Sequence, residues 1–279
     1  MAISKVGIIV RQGDDIPGRV AAELVAWFGG QGIATVIDEV RADLQLLVIL
    51  GGDGTLLHVA EKASRLAIPV VGINLGALGF LTEVAVSERF TALSAILAGS
   101  VPLETRMMLK ARMRNAQATS DWRQALNDVV ISKGNADRLV RLGAWADREY
   151  ITTYKADGLI FSTPTGATAY NLSAGGPIVQ PGLNSILVTP ICPFMLESRP
   201  VLLAPAVKLT TRLDSGGSGN VKVIVDGQVA WDMNENDLLE VEVSEYPLLL
   251  LGAPGKGYFE ILRNKLNWGG GDKVEKPEL

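Results

Sequence analysis

Apolar residues recur along the first hundred positions in two alternating rhythms. Residues 5–10, 33–37, 44–50 and 68–73 are short apolar runs rich in β-branched and leucine side chains. Between them, residues 18–28 carry Val20, Leu24 and Phe28 at helical spacing, and a second helical pattern starts at Thr55. In that second pattern Leu56, Ala60, Ala63 and Ala67 form the expected buried stripe, their small size allowing close approach to a sheet. Strands alternating with helices predict a parallel sheet whose ligands gather at the carboxyl ends of the strands. After about residue 101 the pattern changes to short β-rich segments at 128–131, 139–145, 159–162, 186–189, 207–213 and 221–225, separated by turn residues. Such spacing predicts an antiparallel, sandwich-like domain. A final helical pattern follows the turn at residues 252–257. The expected organisation is an α/β domain over 1–100 completed by a returning helix in 256–279, with a β-rich domain over 101–255.

Composition narrows the chemistry. The 279 residues suffice for a buried core, and a net charge of −4 argues against a general nucleic-acid binder. No apolar stretch approaches the roughly 18–20 residues of a spanning helix, and the first residues lack a signal-peptide layout, so the expectation is a cytoplasmic protein away from membranes. Cys192 is the single cysteine and His58 the single histidine. An internal disulfide, a cysteine metal cluster, a zinc site and a histidine-centred triad therefore lack parts. The apolar surroundings of Cys192 predict a buried, inert thiol.

The most informative motif is Gly51-Gly52-Asp53-Gly54-Thr55, set between a strand and a helix. Backbone N–H groups at a helix N-terminus attract phosphate, and glycines remove the Cβ atoms that would hold it off. Asp53 contradicts simple phosphate binding, since a carboxylate repels phosphate unless a metal ion lies between them or the carboxylate acts on a substrate hydroxyl. Phosphoryl transfer to an alcohol satisfies both conditions. His58, in the first turn and off the buried stripe, is either a solvated surface residue or a group that reaches back to such a phosphate. Neither G-x-G-x-x-G after a strand nor a P-loop is present, because Gly257 occupies the position where the P-loop needs Ser or Thr. A second cluster runs through Asp157-Gly158 and the hydroxyl-rich segment 163–177, where Tyr170 offers a flat face for a base. Thr168 to Ser173 also suits the capping of a short helix. A third, Asn127-Asp128, suits a ribose diol, although such a pair is also an ordinary turn.

In this order and spacing the three sites resemble the NAD kinase family. The matching pieces are residues 51–55, 74–83, 127–128, 157–158, 163–177, 193–200, 226–228 and 259–266, so the resemblance covers nearly the whole chain. The 51–55 motif is shared with lipid kinases and phosphofructokinase-like enzymes; the 163–177 segment is far more specific. The resemblance implies a phosphofructokinase-like α/β domain, a β-rich second domain, NAD bound in the cleft between them, ATP or polyphosphate as donor, a divalent metal (Mg2+ or Mn2+), and homodimers or homotetramers. It makes Asp53 the group that activates the adenosine ribose 2′-hydroxyl, with Gly52 and Gly54 beside it. It assigns Asn127 and Asp128 to ribose hydroxyls, Asp157 to the nicotinamide half, and Thr168, Ala169, Tyr170 and Ser173 to the base and ribose surroundings. Phe80 would pack against a base, or is a core aromatic after Gly79; His58 falls where relatives often carry a basic residue, and Arg138 and Lys155 at positions linked to dinucleotide binding, although all three also suit solvated surface charges. Gln228 is a further binding candidate, although a residue after Asp-Gly also completes a hairpin. Asp128 stands in place of a usual Glu, Ala77 and Phe194 in place of common His residues, and Ala167 in place of a common Ser. Two other readings share the motif: a lipid or small-alcohol kinase, and a non-catalytic dinucleotide sensor.

Overall fold

The computed structural model describes residues 3–11, 15–76, 79–134, 138–215, 221–255 and 257–268. Ala77, residues 216–220 and residues 269–279 of the expected C-terminal segment lie outside the described residues. Two compact units form: Met1–Glu104 with Leu249–Leu279, and Thr105–Leu248.

The first unit follows the alternating rhythm: β1 (Lys5–Val10), α1 (Asp15–Gly29), β2 (Ala34–Ile37), β3 (Leu46–Leu50), α2 (Asp53–Arg65), β4 (Val70–Asn74), β5 (Val84–Ala85), α3 (Arg89–Leu97) and β6 (Leu103–Arg106). Its seven-stranded sheet has the order β2, β1, β3, β4, the strand Leu248–Leu251, and β6, with β5 paired to β4. Strands β1, β2, β3 and β4 run parallel to their neighbours, as does Leu248–Leu251 against β4. All five residues of β3 and of β4 are buried. A parallel sheet covered on both faces leaves no solvent side, so its central strands read as unbroken apolar runs. The stripe Val20, Leu24 and Phe28 is buried against this sheet.

Two details differ from the sequence expectation. Helix α2 starts at Asp53 rather than Thr55, which puts the carboxylate in its first turn. Ala67 is exposed, at a φ of 51°, because the helix has ended at Arg65, and Ser64 joins Leu56, Ala60 and Ala63 in the buried set.

The second unit is a sandwich of two six-stranded sheets. Its strands are β7 (Leu109–Arg114), β8 (Arg123–Ala125), β9 (Asp128–Ser132), β10 (Val140–Ala146), β11 (Glu149–Ala156), β12 (Gly158–Ser162), β13 (Ile186–Ile191), β14 (Val201–Leu203), β15 (Leu209–Ser215), β16 (Val221–Val225), β17 (Gln228–Met233) and β18 (Leu238–Val243). One sheet has the order β11, β10, β15, β18, β7, β8, and the other β14, β13, β12, β9, β16, β17. Side chains of both meet in one core that includes Leu109, Ala111, Leu142, Val129, Phe161 and Val223. Burial alternates along β7 and β16, as a half-buried antiparallel strand requires. By contrast β12 and β13 are buried throughout, because the 163–177 segment covers their outer face with Ala167 packed on Val179 and Leu187. This unit runs 105–248 rather than 101–255, since Leu248–Leu251 hydrogen-bonds into the first sheet.

Phe161 is fully buried at the centre of the sandwich. Phe161→Ala is expected to lower unfolding stability by about 3–5 kcal/mol through lost burial and the cavity left behind. Leu202→Ala, at a side chain 47% exposed on β14, should change it by no more than about 0.5 kcal/mol. Urea denaturation of both variants checks the contrast.

Candidate functional site

Helix α2 leaves its first N–H groups open, because Gly52 caps it with no side-chain hydrogen bond. Asp53, in that first turn, is tied instead to the loop after β4. Phe80 N–H donates to Asp53 Oδ2 at 2.8 Å, while Leu81 N–H, Thr82 N–H and the Thr82 hydroxyl converge on Oδ1 at 3.1, 3.0 and 2.9 Å. Gly79 permits the approach, since a Cβ there would overlap Asp53 Oδ1. The carboxylate in an anion site, so odd in the sequence, is thus compensated by fixed backbone donors. Thr82 in turn accepts from Asn74 Nδ2 at 2.9 Å.

Beside this turn lies a cavity of about 860 Å³ lined by Arg11, Asp38, Glu39, Arg41, Gly54, Thr55, His58 and Lys62, with Ile9, Val10, Val40 and Val59 as its apolar part. Asp38 is occupied by Val10 N–H at 2.7 Å, and Arg41 by Asp43 at 3.0 Å and Glu39 at 3.6 Å. Arg11 and Lys62 have no carboxylate partner among the described residues. His58 is exposed on this cavity wall, on the same helix as Gly54. Phe80 is half-buried, with the Lys265 ammonium 5.8 Å from its ring centre.

In the second unit a different carboxylate organises the Asn127-Asp128 pair. Asp226, in the left-handed region at φ 46°, accepts Leu126 N–H at 2.7 Å on Oδ2, and Asn127 N–H and Asp128 N–H at 2.8 and 3.1 Å on Oδ1. Thr163 N–H bonds the Asn127 carbonyl at 2.9 Å, and Gly166 packs so closely on the same carbonyl that a Cβ would overlap it. These backbone bonds leave the Asn127 and Asp128 side chains unspent among the described residues. Burial, and secondarily the Asp226 charge, pushes the Asp128 carboxyl up to about 7. The Tyr170 hydroxyl is also raised, first by burial and then by Cys192, Asp157 and Asp128, each of which lies within electrostatic reach of it. Tyr170 opens the short helix Tyr170–Ser173 and is 46% exposed; Thr168 and Ala169 are half-buried and Ser173 exposed. Asp157 pairs with Lys133 at 2.8 Å.

Arg138 is exposed, and Gln228 is exposed opposite Val225 in the Asp226-Gly227 hairpin. The Lys155 ammonium lies 4.3 Å from the Phe194 ring centre, which gives Phe194 a contact of its own. Cys192 is exposed rather than buried: β13 ends at Ile191, and the chain turns out of the core through a left-handed Cys192 at φ 44°.

Part of the 163–177 segment is structural. The Thr163 hydroxyl donates to Leu126 O and accepts Gly166 N–H, and buried Asn171 bonds Ala167 O, Pro177 O and the Thr189 hydroxyl. Thr82, Asn74, Asp226 and Asn171 were missed as supports of the site. Only the Asp-Gly turn at 226–227 carried a local signal, its tolerance of positive φ.

Family models give the deciding match. The ATP-NAD kinase N-terminal domain matches residues 19–101 and the ATP-NAD kinase C-terminal domain residues 126–252. The chain belongs to the NAD kinase family. NAD kinases of Geotalea daltonii and Trichlorobacter lovleyi are 38% and 40% identical to it, each over 96% of this chain and 99% of the relative. Among solved structures, yeast NADH kinase complexed with NADH superposes with a TM-score of 0.89 at 24% identity, covering 99% of this chain and 91% of that one. An NAD kinase from Archaeoglobus fulgidus in complex with ATP does so with 0.76 at 21% identity, covering 94% and 97%. These two establish a shared fold: an α/β domain with a parallel sheet and an antiparallel β-rich domain. Nothing in the matches supports a lipid kinase or a non-catalytic sensor.

The raised Asp128 carboxyl has a measurable consequence. Between about pH 4 and pH 7 the folded chain holds a proton that the unfolded chain has released, so this group's stabilising contribution is lost as pH rises through that window. Asp128→Asn should flatten this part of the profile and melt higher than the unsubstituted protein above pH 7. Melting temperatures of both proteins from pH 5 to 8 check the sign.

Proposed function

We propose that this member of the NAD kinase family phosphorylates NAD to NADP by moving the γ-phosphoryl group of ATP to the 2′-hydroxyl of the adenosine ribose, with Asp53 receiving the hydroxyl proton. The observation that carries the reading is a carboxylate fixed by four donors in the first turn of α2, beside a cavity that holds Arg11, Lys62 and His58. In phosphoryl transfer the protein's work is positioning and charge compensation, and this arrangement supplies both. The Gly52 and Gly54 amides and His58 face the transferring phosphate. Asn127 and Asp128 take ribose hydroxyls with side chains that their own backbone does not use. Asp157 serves the nicotinamide half; Thr168, Ala169, Tyr170 and Ser173 surround base and ribose; Phe80 packs on a base. Arg138, Lys155 and Gln228 belong to the same assignment as outer contacts.

ATP is the favoured donor. The cavity's apolar residues Val10, Val40 and Val59 suit an adenine, and its carboxylates Asp38 and Glu39 are poor neighbours for a polyphosphate chain. Among the described residues no three His, Cys, Asp or Glu side chains come together to hold a metal ion, and both Asp53 oxygens are engaged by donors. The chain therefore fits a magnesium or manganese ion that arrives on the triphosphate, where it supplies the full positive charge that helix-terminus amides lack. A cytoplasmic setting and a homodimer or homotetramer complete the reading.

Asp53→Asn should lower turnover by about 10²- to 10⁴-fold with little change in the Michaelis constant for NAD. Its melting temperature should also fall, because an amide NH₂ would face the Phe80 N–H. NADP formation read with an NADP-specific dehydrogenase decides it, and a variant keeping over about a tenth of wild-type turnover removes Asp53 from the role. Activity should vanish in EDTA and return with magnesium or manganese. NADP formation in metal-free buffer would sink the charge-compensation account.

A further inference from the structure

The hydrogen bonds to Asp53 are unequal between its two oxygens. Three donors fill Oδ1, whereas among the described residues Oδ2 receives Phe80 N–H alone. A carboxylate oxygen offers about two acceptor positions, so Oδ1 is saturated and Oδ2 keeps one open. The donor that differs in kind is the Thr82 hydroxyl, a side chain among backbone groups. Its direction is set from behind. Asn74 Oδ1 accepts Gly76 N–H at 2.7 Å, which orients the amide so that Nδ2 donates to Thr82 Oγ1 at 2.9 Å. An NH₂ group only donates, so the single hydroxyl proton of Thr82 is left to point at Asp53. Rotation of the threonine is blocked as well. Thr82 is fully buried, and its methyl packs against the Gly72 backbone so tightly that a Cβ on Gly72 would meet it.

We propose that Thr82, aimed by Asn74, is a positioning residue for the transfer: its hydroxyl, the one side-chain donor on Oδ1, fixes the rotation of the Asp53 carboxylate at which the less occupied Oδ2 meets the acceptor hydroxyl. The proposal rests on the reading of Asp53 as proton acceptor. In that step the O2′–H bond breaks and its proton passes to Oδ2. The O2′–P bond forms, and the bond from the γ-phosphorus to the bridging oxygen breaks, its electron pair leaving with ADP. The proton is then lost to solvent. A carboxylate free to rotate would present a filled or misdirected oxygen in part of its population, at a cost in turnover rather than in substrate binding.

Thr82→Val replaces the hydroxyl with a methyl of similar shape, and Thr82→Ser keeps it. The Val variant should lose about 10- to 100-fold in kcat while KM for NAD and for ATP stays within about twofold, and the Ser variant should recover most of the turnover. Asn74→Asp preserves the bond from Gly76 N–H but offers Thr82 an acceptor in place of a donor. It should therefore turn the hydroxyl away from Asp53 and lower kcat in the same way. Full turnover in a folded Thr82→Val protein overturns the proposal, as does a Ser variant as slow as the Val variant with losses that follow melting temperature. If Thr82→Val does not fold, Asn74→Asp and Thr82→Ser make the same comparison, and equal turnover in those two overturns it. Asp53→Asn, assayed alongside, separates the two failures. An active Asp53→Asn protein removes the proton-acceptor reading itself, whereas an inactive one beside a fully active Thr82→Val protein removes only the positioning role.

Discussion

One carboxylate accepting hydrogen bonds from a single short loop fixes the geometry on which the first unit's chemistry depends. Asp53 begins α2, the loop 79–82 follows β4, and β3 and β4 are parallel neighbours in register from Leu47↔Val70 to Leu50↔Ile73. Parallel pairing brings the carboxyl ends of both strands to the same edge, and Gly51 N–H extends the ladder to the Ile73 carbonyl at 3.1 Å. The helix that starts after β3 therefore stands beside the loop that leaves β4. Backbone amides then neutralise the carboxylate. That compensation is internal to the α2 turn and the loop after β4, and the adjacent cavity carries Arg11 and Lys62 on its wall.

The second unit repeats the device for a different purpose. Asp226 accepts three backbone N–H groups of residues 126–128, as Asp53 accepts those of residues 80–82. It shapes a strand entry from which Asn127 and Asp128 project. Its cost is electrostatic: the negative charge of Asp226 adds to burial in raising Asp128. A ligand hydroxyl donating to Asp128 would stabilise the charged form and offset that cost. Binding of any such hydroxyl would therefore be coupled to ionisation of this group.

The local rhythm of the chain made most of its elements legible. The stripe Val20, Leu24 and Phe28 and the unbroken runs of β3 and β4 state their burial directly in sequence. Asp53 was legible as a contradiction, an anion placed in a site for anions. What resolved it was not, because its partners lie 27 to 29 residues away and three of the four are backbone groups, which carry no residue signature. Asp226 reaches across 98 to 100 residues, again to backbone. Cys192 and Ala67 were misread for a related reason: an apolar neighbourhood in sequence does not report the left-handed turn that carries a residue out of the core.

The C-terminal segment returns to the first unit for reasons the same loop makes plain. Past Thr82 the chain reaches Glu83, which is buried and accepts Ala253 N–H at 3.1 Å, just beyond the strand Leu248–Leu251. Gly252 lies against the same carboxylate, where a Cβ would come within 2.8 Å of Oε2. Lys265, on the C-terminal helix Tyr258–Leu266, reaches over the Phe80 ring. The loop 79–83 is thus held on one side by Asp53 and on the other by residues nearly two hundred positions downstream. A loop anchored at one end only would pivot about it, and the amides of Phe80, Leu81 and Thr82 would lose their common focus. Fixing both ends converts a flexible connection after Gly79 into a rigid set of donors, and rigidity is what gives an ordinary aspartate a defined open lone pair.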